Sequence, residues 1–181
     1  MALTYENVVD DSILLHFEAQ NAFADFVTEQ TGGGSEEVKV DLEKQQITFI
    51  PKLHKRDELV CRAHLIGSVA TDPHSAMWGW NNPQFVGQPI VKLSERIRGF
   101  GESNGIAELS NGEVPLPDET DTHHAANRMA AVGCRITGMP VAHIVGAGST
   151  AVVFALDPVG FTLGQPDGVS FPRVVIGPIQ E

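Results

Sequence analysis

The first part of the chain has apolar residues at helical spacing, with acidic residues between them. The apolar positions are Val9, Ile13, Phe17, Phe23, Phe26 and Val27. Spacings of three, four or their combinations place them on one side of an α-helix. The pattern predicts an amphipathic helix over residues 5–30. The glycines at 32–34 end it, because glycine adopts the left-handed geometry of a helix C-cap without a steric penalty.

The next segment alternates with a period of two. Apolar residues at 38, 40 and 42 alternate with polar ones, a turn follows at 43–45, and the alternation resumes at Ile47 and Phe49. This pattern predicts an antiparallel hairpin with one solvent-exposed face. Residues 59–70 predict a longer third strand, and Met77–Trp80 extends the sheet or begins the following loop. In this third strand one face is predicted to carry Leu59, Cys61, Ala63, Leu65 and Val69, and the other Arg62, His64 and Ser68.

The second half of the chain mixes helical and extended patterns. Ile90, Leu93, Ile97 and Phe100 predict a helix that Gly99 and Gly101 close, after a turn at residues 81–83. The later expectations are a surface loop over residues 104–119, a helix over 121–132 ended by Gly133, and strands over 141–145, 150–156 and 171–176.

Runs of adjacent strands with short connections favour antiparallel pairing. The sequence therefore predicts a single α+β domain over residues 1–181. Its antiparallel sheet packs against the long N-terminal helix and two central helices.

Composition and charge exclude several classes of protein. The chain has 181 residues, 42% of them hydrophobic and 19% charged, which is typical of an ordinary globular core. The net charge is −11 and is spread over both halves of the chain. A field of that sign repels phosphate backbones and anionic lipid, so we expect no nucleic-acid partner and no membrane partner.

Cysteine usage and the N-terminal sequence bear on the compartment. Cys61 and Cys134 are too few and too far apart in the chain for a disulfide framework, and both lie in apolar segments where buried thiols are common. The N-terminal residues have neither the basic region nor the apolar stretch of a signal peptide. These features predict a cytoplasmic protein.

One segment matches the letters of a dinucleotide-binding fingerprint. Gly146, Gly148 and Ala151 reproduce G-x-G-x-x-A after an apolar run. The fingerprint requires a helix after the glycines, whose N-terminus holds the pyrophosphate. Here the following residues are β-branched and reach Pro158 too soon, so the motif predicts a hairpin turn, and we expect no cofactor.

Metal and catalytic chemistry find little support in the sequence. His123 and His124 are adjacent, so on a helix they project about 100° apart and do not jointly chelate an ion. The neighbouring acids, among them Asp121, suit the start of a solvated helix. No spaced ligand set and no nucleophile elbow occur, and we predict no metal site and assign no catalytic residue.

The segment Trp78-Gly79-Trp80-Asn81-Asn82 contains both tryptophans of the chain. In an extended segment, residues two apart project to the same face, and Gly79 leaves the opposite face bare. One interpretation is a ligand pocket with an aromatic wall, amide groups from Asn81 and Asn82, and His64 nearby. The other is a core aromatic pair with the asparagines in a turn. Both interpretations stay open at this point.

The same segment supports a resemblance. The run Ala76-Met-Trp78-Gly-Trp80-Asn-Asn82, followed by Arg98-Gly-Phe-Gly-Glu102, resembles a bacterial family of uncharacterised proteins. That family is marked by a W-x-W-x-W-x-N stretch and a downstream Phe-Gly-Glu. The resemblance covers the order of elements over residues 5–160 and the letters of 76–106. Ala76 replaces a first tryptophan and Asn81 a small residue. The resemblance implies a bacterial protein and transfers no catalytic residue.

These observations favour a non-catalytic ligand-binding or regulatory domain that uses the surface near Trp78, Trp80 and His64. One alternative is an enzyme in which His64, or His123 and His124 with Asp121, act as acid–base groups. Another is a protein-binding protein of the immunity or adaptor kind, whose acidic surface meets a basic target. A small molecule or a protein is the expected partner, and a homodimer is compatible with a sheet edge that needs cover.

Overall fold

The N-terminal helix is the longest element of a computed structural model, which describes residues 2–33, 35–52 and 57–161. This helix, α1, spans Tyr5–Thr31, as predicted. A capping box begins it: the Thr4 hydroxyl accepts the Asn7 backbone N–H, and the Asn7 side-chain oxygen accepts the Thr4 N–H. Gly32 closes it as the C-cap.

Strands and shorter helices make up the rest of the described chain, and every strand pair is antiparallel. The strands are β1 (Ser35–Asp41), β2 (Gln46–Pro51), β3 (Leu59–Thr71), β4 (His74–Trp78), β5 (Glu113–Pro115), β6 (Val141–Ala147) and β7 (Thr150–Pro158). The helices are α2 (Pro89–Lys92), α3 (Glu95–Asn104), α4 (Ala107–Ser110) and α5 (Thr122–Thr137), with a 3-10 turn at Gly79–Asn81. The α+β prediction is confirmed.

The sheet is organised around β3, its longest strand. One side of β3 pairs with β2 along its first half and with β4 along its second half, and the other side pairs with β7. The β1–β2 hairpin is the one predicted from the alternating pattern, and the β6–β7 hairpin is the one predicted from the glycine segment. The glycine motif forms the β6–β7 turn, in which Gly148 has φ of 63°, and a strand follows it rather than a helix.

The prediction that Val69 shares a face with Leu65 is wrong. A β-bulge shifts the register of β3 against β7, so that Leu65 pairs with Phe154 while Gly67 pairs with Val153. The extra residue, Ile66, reverses the alternation for the remainder of the strand. Val69 therefore lies on the opposite face from Leu65.

The boundaries of the central helices also differ from the prediction. The helix expected from Ile90 to Phe100 is two helices, α2 and α3, and α3 continues through Gly99 and Gly101 to Asn104. Likewise α5 continues through Gly133 to Thr137. The true C-caps are Gly105 and Gly138, whose φ values of 66° and 79° only glycine adopts readily.

The expected loop over residues 104–119 holds two short elements, α4 and β5. The β5 strand pairs with β4, although proline and glycine nearby indicate a turn. The extended conformation of this segment depends on its pairing with β4 and was not predicted, because a three-residue strand is too short to show a periodicity in the sequence. The strand predicted at residues 171–176 lies outside the described residues.

Both faces of the sheet are covered. We call one the α5 face, where α5 packs on Val69, Ala142, Val153 and Ala155. We call the other the Phe49 face, where α2 and the second half of α1 pack on the strands. Its members include Ile47, Phe49, Cys61, Ala63, Leu65, Phe154 and Leu156. Because α1 contributes to both faces, it must pass around a sheet edge.

Alanine substitutions at two glycines of α3 are expected to change the free energy of unfolding in opposite directions. A Cβ on Gly101 would lie 2.7 Å from the Ser110 backbone nitrogen and 2.7 Å from Leu109 Cβ, whereas a Cβ on Gly99 would have no neighbour within 4 Å among the residues that the structure describes. We expect Gly101→Ala to lower the free energy of unfolding by about 1–3 kcal/mol, since α4 must move away. Gly99→Ala is expected to raise it by about 0.5–1 kcal/mol through helix propensity.

Urea denaturation of the two variants provides the measurement, and each variant is the control for the other. Equal effects of the two substitutions would show that close helix packing at Gly101 is not what excludes a side chain.

Candidate functional site

Trp78, the first of the sequence-predicted site residues, is part of the interior. It ends β4, and only 2% of its surface is exposed. Its indole nitrogen donates a hydrogen bond of 2.7 Å to the carbonyl oxygen of Glu108 in α4. The ring belongs to the buried cluster under α5. It therefore ties β4 to the segment before β5.

Trp80 has a different environment from Trp78. The 3-10 turn at Gly79–Asn81 interrupts the extended backbone after β4. Trp78 and Trp80 therefore do not belong to one extended segment, which was the condition for placing them on the same face. Trp80 is half-buried, and the Arg98 guanidinium lies 4.8 Å from its ring centroid. Its indole nitrogen is buried and has no hydrogen-bond partner among the described residues.

The two asparagines make turn contacts. Asn82 accepts the Gln84 backbone N–H on its side-chain oxygen, at 3.0 Å. The Asn81 side chain packs against Gly112 so closely that a Cβ at Gly112 would lie 2.1 Å from Asn81 Cγ. These contacts fix the path of the chain after β4.

His64 lies on the α5 face of β3, in register with Ala155 of β7. Its Nδ1 atom is buried without a partner among the described residues. Burial lowers the pKa of His64, the nearby Arg62 lowers it further, and Asp157 opposes them. The turn that carries Trp80 packs against the backbone of the next residue of β3, because a Cβ on Gly79 would lie 2.5 Å from the carbonyl oxygen of Leu65.

A groove of about 300 Å³ opens between the second half of α1 and the Phe49 face. We call it the α1 groove. Its lining is mostly apolar and aromatic, and sequence analysis did not predict it. The lining residues are Gln20, Phe23, Ala24, Val27, Thr28, Phe49, Ala142 and His143.

Curling of the sheet forms the α1 groove. Phe49 of β2 and His143 of β6 are separated by β3 and β7, a distance of about 14 Å in a flat sheet. Their ring centroids are nevertheless 5.6 Å apart and their planes are nearly perpendicular. Phe23 of α1 adds a second edge-on contact to Phe49, at 5.7 Å. Three elements distant in the chain thus build one aromatic wall.

Gln20 connects α1 to the edge of the sheet beside the groove. Its amide nitrogen donates to the Ala142 carbonyl oxygen at 2.9 Å, and its amide oxygen accepts the Ala142 N–H at 2.8 Å. This pair of bonds replaces a neighbouring strand at β6 and covers part of an open edge. It also holds α1 where the helix passes from the α5 face to the Phe49 face.

Two histidines near this crossing are held neutral. Burial lowers the pKa of His16, on the inner side of α1, to about 4, and burial also lowers the pKa of His143 in the groove. At neutral pH each imidazole has one hydrogen-bond donor and one acceptor and carries no charge. The groove therefore offers a neutral polar group among apolar walls.

Comparison with protein-family models identifies the family. A model described as a family of unknown function (DUF6882) matches residues 6–159. The chain belongs to this family. The resemblance seen in the sequence to an uncharacterised family is thereby confirmed. No curated protein and no solved structure matches the chain.

In this DUF6882 protein, the candidate acid–base group at the start of α5 has a structural role. Asp121 is the N-cap of α5, and its carboxylate accepts the backbone N–H groups of His123 and His124 at 2.9 and 3.3 Å. Both histidine side chains are exposed. No group of three or more potential metal ligands occurs within residues 2–33, 35–52 and 57–161.

The cysteines are poor nucleophiles. Cys61 and Cys134 are buried and not joined to each other. Burial raises the pKa of each thiol to about 12, with Asp157 contributing at Cys61. Because the thiolate is the reactive form, neither residue is activated for catalysis.

The helices in the described part of the chain are too short or too polar to cross a bilayer. The longest of them, α1, carries six acidic residues and no lysine or arginine.

Proposed function

We propose that this protein is a non-catalytic ligand-binding domain whose site is the α1 groove. The observation that carries the proposal is an open groove of about 300 Å³ with an aromatic wall and one neutral imidazole. Small-molecule sites combine largely apolar linings with few polar groups that orient the ligand, and this volume is at the lower end of their range. The raised thiol pKa values and the capping role of Asp121 favour binding over catalysis.

The chemistry of the lining points to an uncharged ligand. Phe23, Val27 and Phe49 supply apolar surface, and His143 can exchange one hydrogen bond with a polar group of the ligand. The Thr28 hydroxyl already donates to the Ala24 carbonyl oxygen. A net charge of −11 disfavours an anion. We therefore infer a compact aromatic or aliphatic molecule with a single polar group.

Filling the groove is expected to prevent binding of an uncharged apolar dye, N-phenyl-1-naphthylamine. Ala24 lines the groove from α1, so Ala24→Leu places a larger side chain in the space a ligand would occupy. We expect dye fluorescence to rise with the wild-type protein and dye affinity to fall about tenfold or more in the variant, a loss of about 1.4 kcal/mol. Fluorescence titration measures both.

Ala22→Leu is the matched control, because Ala22 is an exposed residue of the same helix outside the groove. It should bind the dye as the wild type does. Thermal denaturation of all three proteins checks that the fold is intact. Equal dye affinity in the two leucine variants would rule out the α1 groove as the site.

A second candidate site is the surface around Trp80, Asn81, Asn82 and His64. It is supported by two buried nitrogen atoms, one on Trp80 and one on His64, that have no hydrogen-bond partner in the described part of the chain. A polar ligand that hydrogen-bonds to the Trp80 indole would satisfy one of them. In an NMR titration with small amides, a shift of the Trp80 indole N–H signal would support this site. Shifts confined to His143 would favour the groove instead.

We further propose that the protein is bacterial and works in the cytoplasm. The bacterial assignment follows the resemblance in residues 76–106. The cytoplasmic assignment is supported by two buried thiols that are not cross-linked, since reducing compartments preserve free thiols.

A further inference from the structure

The side of α1 that faces away from the protein carries two large apolar side chains among acids. Leu14 is 73% exposed and Phe17 is 45% exposed. At 100° per residue Leu14 lies opposite the buried positions of the helix, and Phe17 lies at their border, about 80° from Val9 and Val27. The sequence pattern placed Phe17 with the buried side chains of α1, and its exposure corrects that expectation. We call this surface the outer stripe of α1. It consists of Asp10, Leu14, Phe17, Glu18, Asn21 and Asp25, all exposed.

From this stripe we infer a docking surface for a basic amphipathic segment of another protein. The stripe extends over about 22 Å of helix, given 1.5 Å of rise per residue. An apolar pair at positions i and i+3 is the usual anchor between a helix and an apolar partner surface. Exposed apolar side chains in such a group mark interaction surfaces more often than isolated ones do.

Charge complementarity decides the class of partner. The six acids of α1 are not balanced by any lysine or arginine within the helix. Of these acids, Glu6 pairs with Arg128 of α5, which leaves the acids of the outer stripe facing solvent. Lysine or arginine residues flanking an apolar strip of the partner would meet Asp10, Glu18 and Asp25 while leucines cover Leu14 and Phe17. Charge attraction speeds such an encounter and rejects acidic partners.

A second copy of the chain is a poorer occupant of the same surface. Two outer stripes brought together would oppose acid to acid, which is unfavourable for association. The docking surface is also separate from the α1 groove, because Leu14 and Phe17 do not line it. A negative result for the docking surface would therefore not contradict the proposed ligand site in the α1 groove.

The test uses a synthetic lysine–leucine peptide with leucines at helical spacing, together with a scrambled peptide of the same composition. By fluorescence anisotropy we expect the amphipathic peptide to bind and the scrambled peptide to bind about tenfold more weakly. The double variant Leu14→Ala and Phe17→Ala should weaken binding of the amphipathic peptide about tenfold, as truncation of interface anchors does. Neutralising Asp10, Glu18 and Asp25 as amides should weaken binding and flatten its salt dependence.

Matched controls lie elsewhere on the surface. Val86 and Val159 are exposed apolar residues outside α1, at 65% and 81%, and their alanine variants should bind the peptide as the wild type does. Amide variants of the exposed acids Glu43 and Asp118 should also leave affinity unchanged. Equal binding of the two peptides, or equal losses from stripe and control variants, would overturn the inference. So would a wild-type dimer that the double variant dissociates.

Discussion

Replacing Trp78 with alanine is expected to lower the free energy of unfolding by about 3–5 kcal/mol, the usual loss for a large buried aromatic. The indole is 2% exposed, so its removal leaves a cavity under α5. It also leaves the Glu108 carbonyl oxygen without the indole donor that now contacts it at 2.7 Å. Urea denaturation followed by circular dichroism measures the change without depending on tryptophan fluorescence.

Trp80→Ala is the matched control, because it removes the same side chain from a half-buried position two residues later. We expect it to cost about 1 kcal/mol, since less apolar surface leaves the interior. Similar losses for the two variants would contradict the assignment of Trp78 to the core and of Trp80 to a half-buried position at its border. The comparison bears directly on the two interpretations of the tryptophan segment.

The wild-type protein is expected to lose stability as the pH falls from about 6.5 towards 4, and His16 accounts for part of this loss. Burial lowers the pKa of His16 from 6.5 to about 4 in the folded protein. In that window the unfolded chain binds a proton at this residue and the folded chain does not, so acid favours unfolding. The difference reaches about 3 kcal/mol near pH 4, at 1.36 kcal/mol per pH unit. Well above pH 6.5 the imidazole is neutral in both states and has no effect.

His16→Leu removes the titrating group and retains apolar volume in the same buried position. Its stability should depend less on pH than that of the wild type, with the gap between the two proteins widening from pH 6.5 to pH 4. His123→Leu, which makes the same substitution at an exposed histidine, is the matched control. A gap that stays constant over this range would show that His16 is not held neutral by the fold. Urea denaturation at a series of pH values supplies the data.

The candidate sites show which features can be predicted from residue patterns and which cannot. The Trp78–Asn82 segment stood out in the sequence because two large aromatics and two amides are adjacent there. In the structure the two tryptophans have different environments, because Trp78 lies in the core beside α4 and the Trp80 ring contacts the Arg98 guanidinium. The α1 groove had no such signal. Phe23, Phe49 and His143 each fit an ordinary helix or strand pattern, and nothing local indicates that they meet.

The sequence by itself determined α1, the β1–β2 and β6–β7 hairpins, the long β3 strand and the α+β class. Each depends on periodicity and turn residues within a short stretch, where neighbouring residues decide the backbone conformation. Only the tertiary structure decided the face of Val69, the continuation of α3 through Gly101, and the groove between Phe49 and His143. These depend on a register shift, a helix approach and a curled sheet, which arise from contacts between segments far apart in the chain.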